Sequence, residues 1–206
     1  MVVVLGLGVF AVLALALPGR GSLGIDREAF AALDGVRGRP GDELARTLTQ
    51  LGSAYLAWPL ALLGCVALGL EHRPRAAAGL LAGAVSAIIA VGAAKDLIGR
   101  PRPPGSLVPT AGLSFPSGHA TYATFWLGVA LLLAVGRHRR GQRALVATGA
   151  AVMLLVGLTR VYLRAHYLSD VLAGWGVSSA LLALGTLTAA GIGRGIGRTR
   201  QNDRRP

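Results

Sequence analysis

The chain has 206 residues, 53% of them hydrophobic and only 15% charged, with a formal net charge of +12. Soluble domains carry roughly 25% charged residues, so this composition excludes an ordinary soluble enzyme and points to an integral membrane protein. Nucleic acid is not the expected partner of the basic excess, because the arginines flank apolar runs, where membrane topology places them. The lone Cys65 rules out an intrachain disulfide and a cysteine-rich metal site.

Six apolar runs follow in chain order, at residues 2–17, 54–70, 76–94, 120–136, 144–159 and 171–192. Each is about long enough to cross a bilayer as a helix. Their Ala, Gly and Leu content suits close helix packing in lipid. The first run lacks a basic stretch before it and is read as a retained helix rather than a signal peptide. Between the first two runs lies a long connection, residues 18–53, whose five arginines balance five acids. Residues 25–33 and 42–51 show helical apolar spacing, interrupted by Gly-Arg-Pro-Gly at 38–41. Short amphipathic helices on the membrane surface are expected there. The expected fold is therefore all-α: one six-helix transmembrane domain over residues 1–206, ending in a basic, flexible tail at 194–206.

Arginine placement sets the expected orientation. Arg73 and Arg75, then Arg137, Arg139, Arg140 and Arg143, then the tail arginines fall on alternating, equivalent links. Together with the N-terminus these make the expected cytoplasmic side. The opposite side holds ten Lys/Arg against eleven, but spread over much longer connections. Tyr55, Tyr122, Tyr162 and Tyr167 all fall near that outer side, as interfacial aromatics do.

Three polar clusters then coincide on the outer side: KDLIGRPRP at 95–103, PSGH at 116–119, and TRVYLRAHYLSD at 159–170. A phosphate-handling site needs fixed positive charge and N–H donors around the phosphoryl oxygens. Lys95, Arg102 and Arg160 supply charge, arginine through a planar fork of donors. Ser117 and Gly118 lie where the fourth apolar helix begins, and a helix N-terminus binds anions. His166 and Asp170 are four residues apart, so one helical face can carry both. The carboxylate can then fix the imidazole tautomer and strengthen the far nitrogen as a nucleophile. His119 is the natural acid for a leaving oxygen. A two-metal mechanism lacks ligands, because Asp170 and Asp203 are the only acids after Asp96. No metal and no cofactor are expected.

These clusters resemble the signature of the type 2 phosphatidic acid phosphatase family, within the acid phosphatase and vanadium haloperoxidase superfamily. Lys95, Arg102 and Pro103 match its first motif, Pro116, Ser117, Gly118 and His119 its second, and Arg160, His166 and Asp170 its third. Thr159 stands where serine is usual and keeps a hydroxyl. The resemblance implies that His166 attacks phosphorus to form a phosphohistidine, that Asp170 orients it and that His119 protonates the leaving group. It also implies that Lys95, Arg102, Arg160, Ser117 and Gly118 hold the phosphoryl oxygens, with no metal.

The expected activity is hydrolysis of a lipid phosphate or diphosphate at the outer face of the plasma (inner) membrane. Candidate substrates are undecaprenyl or another polyprenyl diphosphate, phosphatidylglycerophosphate and phosphatidic acid. Alternatives are a lipid phosphotransferase using the same phosphohistidine, haloperoxidase chemistry with added vanadate, and a non-catalytic lipid binder or transporter on this scaffold. Arg100 and Arg164 hold no motif position and are read as membrane anchors that snorkel. Trp126 and Trp175 are read as packing residues.

Overall fold

The computed structural model describes residues 1–17 and 21–202, with side chains through residue 190. Its helices are α1 (Val2–Ala16), α2 (Gly24–Asp34), α3 (Arg39–Leu48), α4 (Ala54–Leu70), α5 (Pro74–Ile98), α6 (Gly118–Ala134), α7 (Arg139–Tyr162) and α8 (Leu168–Asn202). A 3₁₀ turn, Thr49–Gly52, joins α3 to α4. No strand occurs among the described residues. Each of the six apolar runs is a helix: α1, α4, α5, α6, α7 and α8.

Three helices, Pro74–Ile98, Arg139–Tyr162 and Leu168–Ala190, are long and apolar enough to cross a membrane by themselves. A fourth span arises if Arg39–Gly52 and Ala54–Leu70, which meet at a 42° bend, count as one. α1 and α6, with 15 and 17 residues, are shorter apolar helices. At 1.5 Å per residue they reach about 22–26 Å, short of the ~30 Å hydrocarbon thickness. This is why the structure supports three or four spans by length where the hydropathy pattern alone predicted six. Large apolar side chains such as Leu63, Leu70, Ile89, Leu97 and Leu158 point outward. An exposed apolar surface of this extent needs a hydrocarbon surround. The protein is an all-α polytopic membrane protein.

Two short amphipathic helices do form in the first long connection. The Gly-Arg-Pro-Gly stretch, however, does not separate them. Arg39 opens α3 and Pro40 lies in its first turn, where a missing N–H and a preset φ are compatible with a helix start. The break lies upstream, at residues 35–38. At the chain's end, α8 continues to Asn202, while residues 203–206 of the expected tail lie outside the described residues.

α8 is the central element, packing along α5, α1 and α6. Its approach to α5 requires glycine. A Cβ on Gly83 would sit 2.7 Å from the Leu182 backbone, and one on Gly79 2.7 Å from the Gly185 carbonyl oxygen. Side chains thin out there so that dispersion contacts run backbone to backbone, which drives association in lipid. Ala57, Ala61, Leu80, Ala84, Ala87, Phe125 and Leu182 fill the core between α4, α5, α6 and α8. A second apolar cluster, Phe30, Ala120, Val161, Tyr167 and Val171, docks α2 onto one end of the bundle.

The connections place all three polar clusters at that end. α5 ends at Gly99, whose φ of 62° is the left-handed cap that glycine adopts without strain. α7 ends in a turn through Arg164, at φ 49°, and the amides of Ala165 and His166 donate to the Arg160 carbonyl. The links 71–73 and 135–138 lie at the opposite end, where Arg137 pairs with Glu71 at 2.9 Å.

Candidate active site

The C-terminal ends of α5 and α7 and the N-terminal ends of α6 and α8 converge on one polar cluster of side chains. His166 lies in the tight α7–α8 link and is buried. Its Nδ1 stands 3.4 Å from Asp170 Oδ2, and its Nε2 3.1 Å from Arg102 Nη1. The i, i+4 spacing thus brings the two side chains together, although His166 precedes the first residue of α8 rather than lying on it.

Asp170 is fully buried and saturated with donors. Ser114 Oγ donates to Oδ2 at 2.5 Å, the Tyr167 amide to the same oxygen at 3.0 Å, and Arg100 Nη1 to Oδ1 at 2.5 Å. With Asp170 on the Nδ1 side, the lone pair of His166 is left on Nε2, facing the arginine. Burial pushes the His166 imidazole down to about 4. The hydrogen bond and charge of Asp170 oppose that shift, while Arg160 and Arg102 reinforce it. His166 is therefore neutral at physiological pH.

Arg102 is held in place by its own loop. Nε donates to Ala111 O and Gly112 O, Nη2 to Ala111 O at 2.8 Å, and Nη1 to Ala165 O at 2.8 Å. Lys95 Nζ donates to Leu113 O at 2.6 Å, from the last turn of α5. Arg160, from the last turn of α7, is 5% exposed and donates through Nη1 to Thr49 Oγ1 at 3.0 Å. Its Nε has no partner. A buried guanidinium nitrogen without an acceptor costs free energy unless a ligand supplies one. The site thus holds three fixed cations around one imidazole and has few acceptors to spare.

Ser117 caps α6, its side chain accepting from the Ala120 amide at 3.4 Å. Its own amide donates to Asp170 O at 3.0 Å and is therefore already engaged within the protein. The amides of Gly118 and His119 lie in the first turn of α6, where no intrahelical acceptor exists, and remain the anion donors of that helix end. His119 lies within electrostatic range of Arg160, His166 and Arg102. Gly174 of α8 lies against Ser117 O, where a Cβ would sit 2.7 Å away. All eight sequence-predicted site residues therefore gather at one end of the bundle. Thr159 does not contribute: its hydroxyl donates to Val156 O inside α7.

Two arginines read as anchors behave otherwise. Arg100 is fully buried in protein, paired with Asp26 at 2.7 Å and with Asp170. Arg164 pairs with Asp34 at 2.6 Å and stacks over Phe30. Snorkelling requires a path to water, and Arg100 has none. Asp26, Thr49, Ser114 and Ser169 also went unnoticed in the sequence. Hydroxyl and carboxylate residues in irregular or amphipathic segments read as solvated, and only the tertiary fold turns them inward. Trp126 donates to Leu51 O, a packing role as expected. Among the described residues no three His, Cys, Asp or Glu side chains form a group that could hold a metal.

Residues 76–191, more than half of the chain, match the family model described as the PAP2 superfamily. The chain belongs to the PAP2 superfamily. The matched segment contains all eight predicted site residues. The fold agrees. A crystal structure of a PAP2-type phosphatidylglycerolphosphate phosphatase from Bacillus subtilis superposes with a TM-score of 0.78 at 23% identity, over 92% of this chain and 98% of that one. The Aquifex aeolicus LpxE structure superposes with a TM-score of 0.65 at 22% identity, over 80% and 96%. Among curated proteins no relative matches the sequence. Its membrane-embedded fold is that of the PAP2-type phosphatases it superposes on.

Proposed function

We propose that this PAP2 protein hydrolyses a lipid phosphate or diphosphate through a phosphohistidine on His166, at the outer membrane face. The observation that carries the reading is the His166 environment: Nδ1 backed by buried Asp170, and Nε2 facing Arg102 at 3.1 Å. A phosphoryl group in front of Nε2 meets Arg102, Lys95, Arg160 and the first-turn amides of α6. Neutral Nε2 attacks the terminal phosphorus while its bond to the leaving oxygen breaks, the ester oxygen of a monophosphate or the bridging oxygen of a diphosphate. The electron pair stays on that oxygen, and His119 gives it a proton. Water then attacks the phosphohistidine, His119 takes the water's proton, and inorganic phosphate leaves with His166 restored. The cations hold the charge on the equatorial oxygens throughout, which is where electrostatic catalysis is largest.

The apolar surround favours a lipid over a soluble ester. The Bacillus subtilis neighbour is a phosphatidylglycerolphosphate phosphatase, which keeps phosphatidylglycerophosphate in the panel beside polyprenyl diphosphate and phosphatidic acid. The test is phosphate release from each lipid by the purified protein in detergent, with His166→Ala as control. Acid-labile, base-stable labelling of the wild type and none of the variant is expected. Equal phosphate release by both proteins would remove His166 as nucleophile. Activity lost with EDTA and restored by a divalent ion would contradict a metal-free route. An added alcohol acceptor that takes up the phosphoryl group would reveal the transferase alternative.

A further inference from the structure

Asp170 faces His166 correctly only if its other oxygen is engaged, and a buried arginine engages it. Arg100 Nη1 donates to Asp170 Oδ1 at 2.5 Å and to Ser169 Oγ at 2.7 Å. Its Nη2 donates to Asp26 Oδ2 at 2.7 Å and to Gly21 O at 2.8 Å. Its guanidinium lies 3.9 Å from the Tyr167 ring. Arg100, Asp26 and Asp170 are each fully buried.

Geometry shows why the second carboxylate matters. A guanidinium facing a lone carboxylate favours the bidentate fork, taking both oxygens. Here Asp26 holds Nη2, so Arg100 meets Asp170 end-on through Nη1. Asp170 Oδ2 is left for Ser114, the Tyr167 amide and His166 Nδ1. Asp26 is itself immobilised. It accepts from the Leu23 amide at 2.9 Å, and from the Ser169 amide and hydroxyl at 2.8 and 2.9 Å. The Ser169 contacts join α2 directly to the start of α8.

We infer that Arg100 and Asp26 are a positioning pair: Asp26, on a helix of the first long connection, keeps Arg100 from chelating Asp170, and so keeps Oδ2 aimed at His166. They touch neither substrate nor phosphorus and act through Asp170. This rests on the phosphatase reading above, and it extends the site to a helix outside the residues matched by the family model. The charged or titratable groups around Asp170 are His166 and Tyr167 from the α7–α8 link, Arg100 from the α5–α6 connection and, behind Arg100, Asp26 from α2. Lys95 and Arg102 act on it at longer range.

The experiment measures kcat, KM and orthovanadate binding for wild type, Arg100→Gln, Asp26→Asn and the double variant, each checked for a folded, monodisperse state. The lipid substrate is the best of the panel above. Wild-type turnover and its loss in His166→Ala report on the phosphatase reading alone, so failure there is distinguishable from failure of this inference. Each single variant is expected to lose roughly 10–100-fold in kcat, the range found when a group behind a ligating side chain is removed in metal sites. Vanadate affinity should stay within about threefold of wild type, because Lys95, Arg102 and Arg160 are untouched. The ascending limb of the pH–rate profile should move, because the contact of Asp170 with His166 changes. The double variant should be no slower than Arg100→Gln, because Asp26 acts only through the arginine. Unchanged kcat would overturn the inference. So would parallel loss of kcat and vanadate binding, or losses that simply multiply in the double variant. Where Arg100→Gln does not fold, Asp26→Asn, which leaves Arg100 paired with Asp170, decides by the same kcat-against-vanadate comparison.

Discussion

In the proposed reaction His166 and His119 divide the chemistry, and substitutions should separate their parts. His166→Ala removes the atom that bonds to phosphorus, so phosphate release should fall by at least about 1,000-fold, as when other enzymes lose a covalent nucleophile. His119→Ala should cost about 10²–10⁴-fold on a lipid substrate, the usual contribution of a general acid. With p-nitrophenyl phosphate, whose leaving oxygen needs no proton, His119→Ala should recover most of its deficit while His166→Ala does not. Equal deficits on both substrates would sink the assignment of His119. The pH profile follows from burial. Because His166 is depressed to about 4, its neutral fraction rises as pH climbs through that value. The ascending limb of kcat/KM is therefore expected near pH 4. An ascending limb at the ordinary imidazole value of about 6.5 would show that His166 is not desolvated as described. That His166, Asp170 and Arg102 come together was legible in the sequence, because they stand at the spacings of the three motifs. Arg100 was not: arginine near a membrane surface has a common alternative role, and nothing local distinguishes a snorkelling guanidinium from one that a distant carboxylate draws inward.

At the scale of elements, the two catalytic ends are tied to each other before any substrate arrives. The Ser117 amide donates to Asp170 O, which joins the start of α6, carrying His119, to the start of α8, which follows His166. Gly174 permits that contact. Gly174→Val would push α8 away from Ser117 O, and overpacking of this kind costs about 1–3 kcal/mol. Expected outcomes are a lower midpoint in thermal unfolding and a kcat loss larger than the KM change. A variant with wild-type melting and turnover would mean that the helices re-pack freely. The amphipathic helices α2 and α3 were also legible, because apolar spacing survives in a charged segment. Their inward duties were not. Asp26 and Thr49 reach the site through contacts more than a hundred residues away in sequence, Thr49 to Arg160 and Asp26 to Ser169, and such contacts leave no local pattern.

Across the whole molecule, the polar end and the arginine-rich end are opposite, and the arginine density predicts which faces the cytoplasm. Single cysteines at Thr110→Cys and Gln142→Cys, in a Cys65→Ala background, test this. In intact cells an impermeant maleimide should label the first and reach the second only after permeabilisation; the reverse pattern would invert the proposed topology. Each of the six apolar runs read as a span is a helix of the bundle, although α1 and α6 are shorter than the three that are long enough to cross a membrane by themselves.

The connection from α5 to α6 is closed on itself: the Ser114 amide donates to Arg100 O at 2.8 Å. Both ends of this stretch reach Asp170, and Arg102 grips Ala111 and Gly112 from inside it. Pro109 and Thr110 at its crest are exposed. The loop thus behaves as a clasp anchored at Leu107, whose amide donates to Leu163 O, and at Ala111, with Pro109 and Thr110 exposed between the two anchors. Two or three residues inserted between Pro109 and Thr110 should leave turnover of p-nitrophenyl phosphate nearly intact, whereas the same insertion between Gly112 and Leu113 should abolish it.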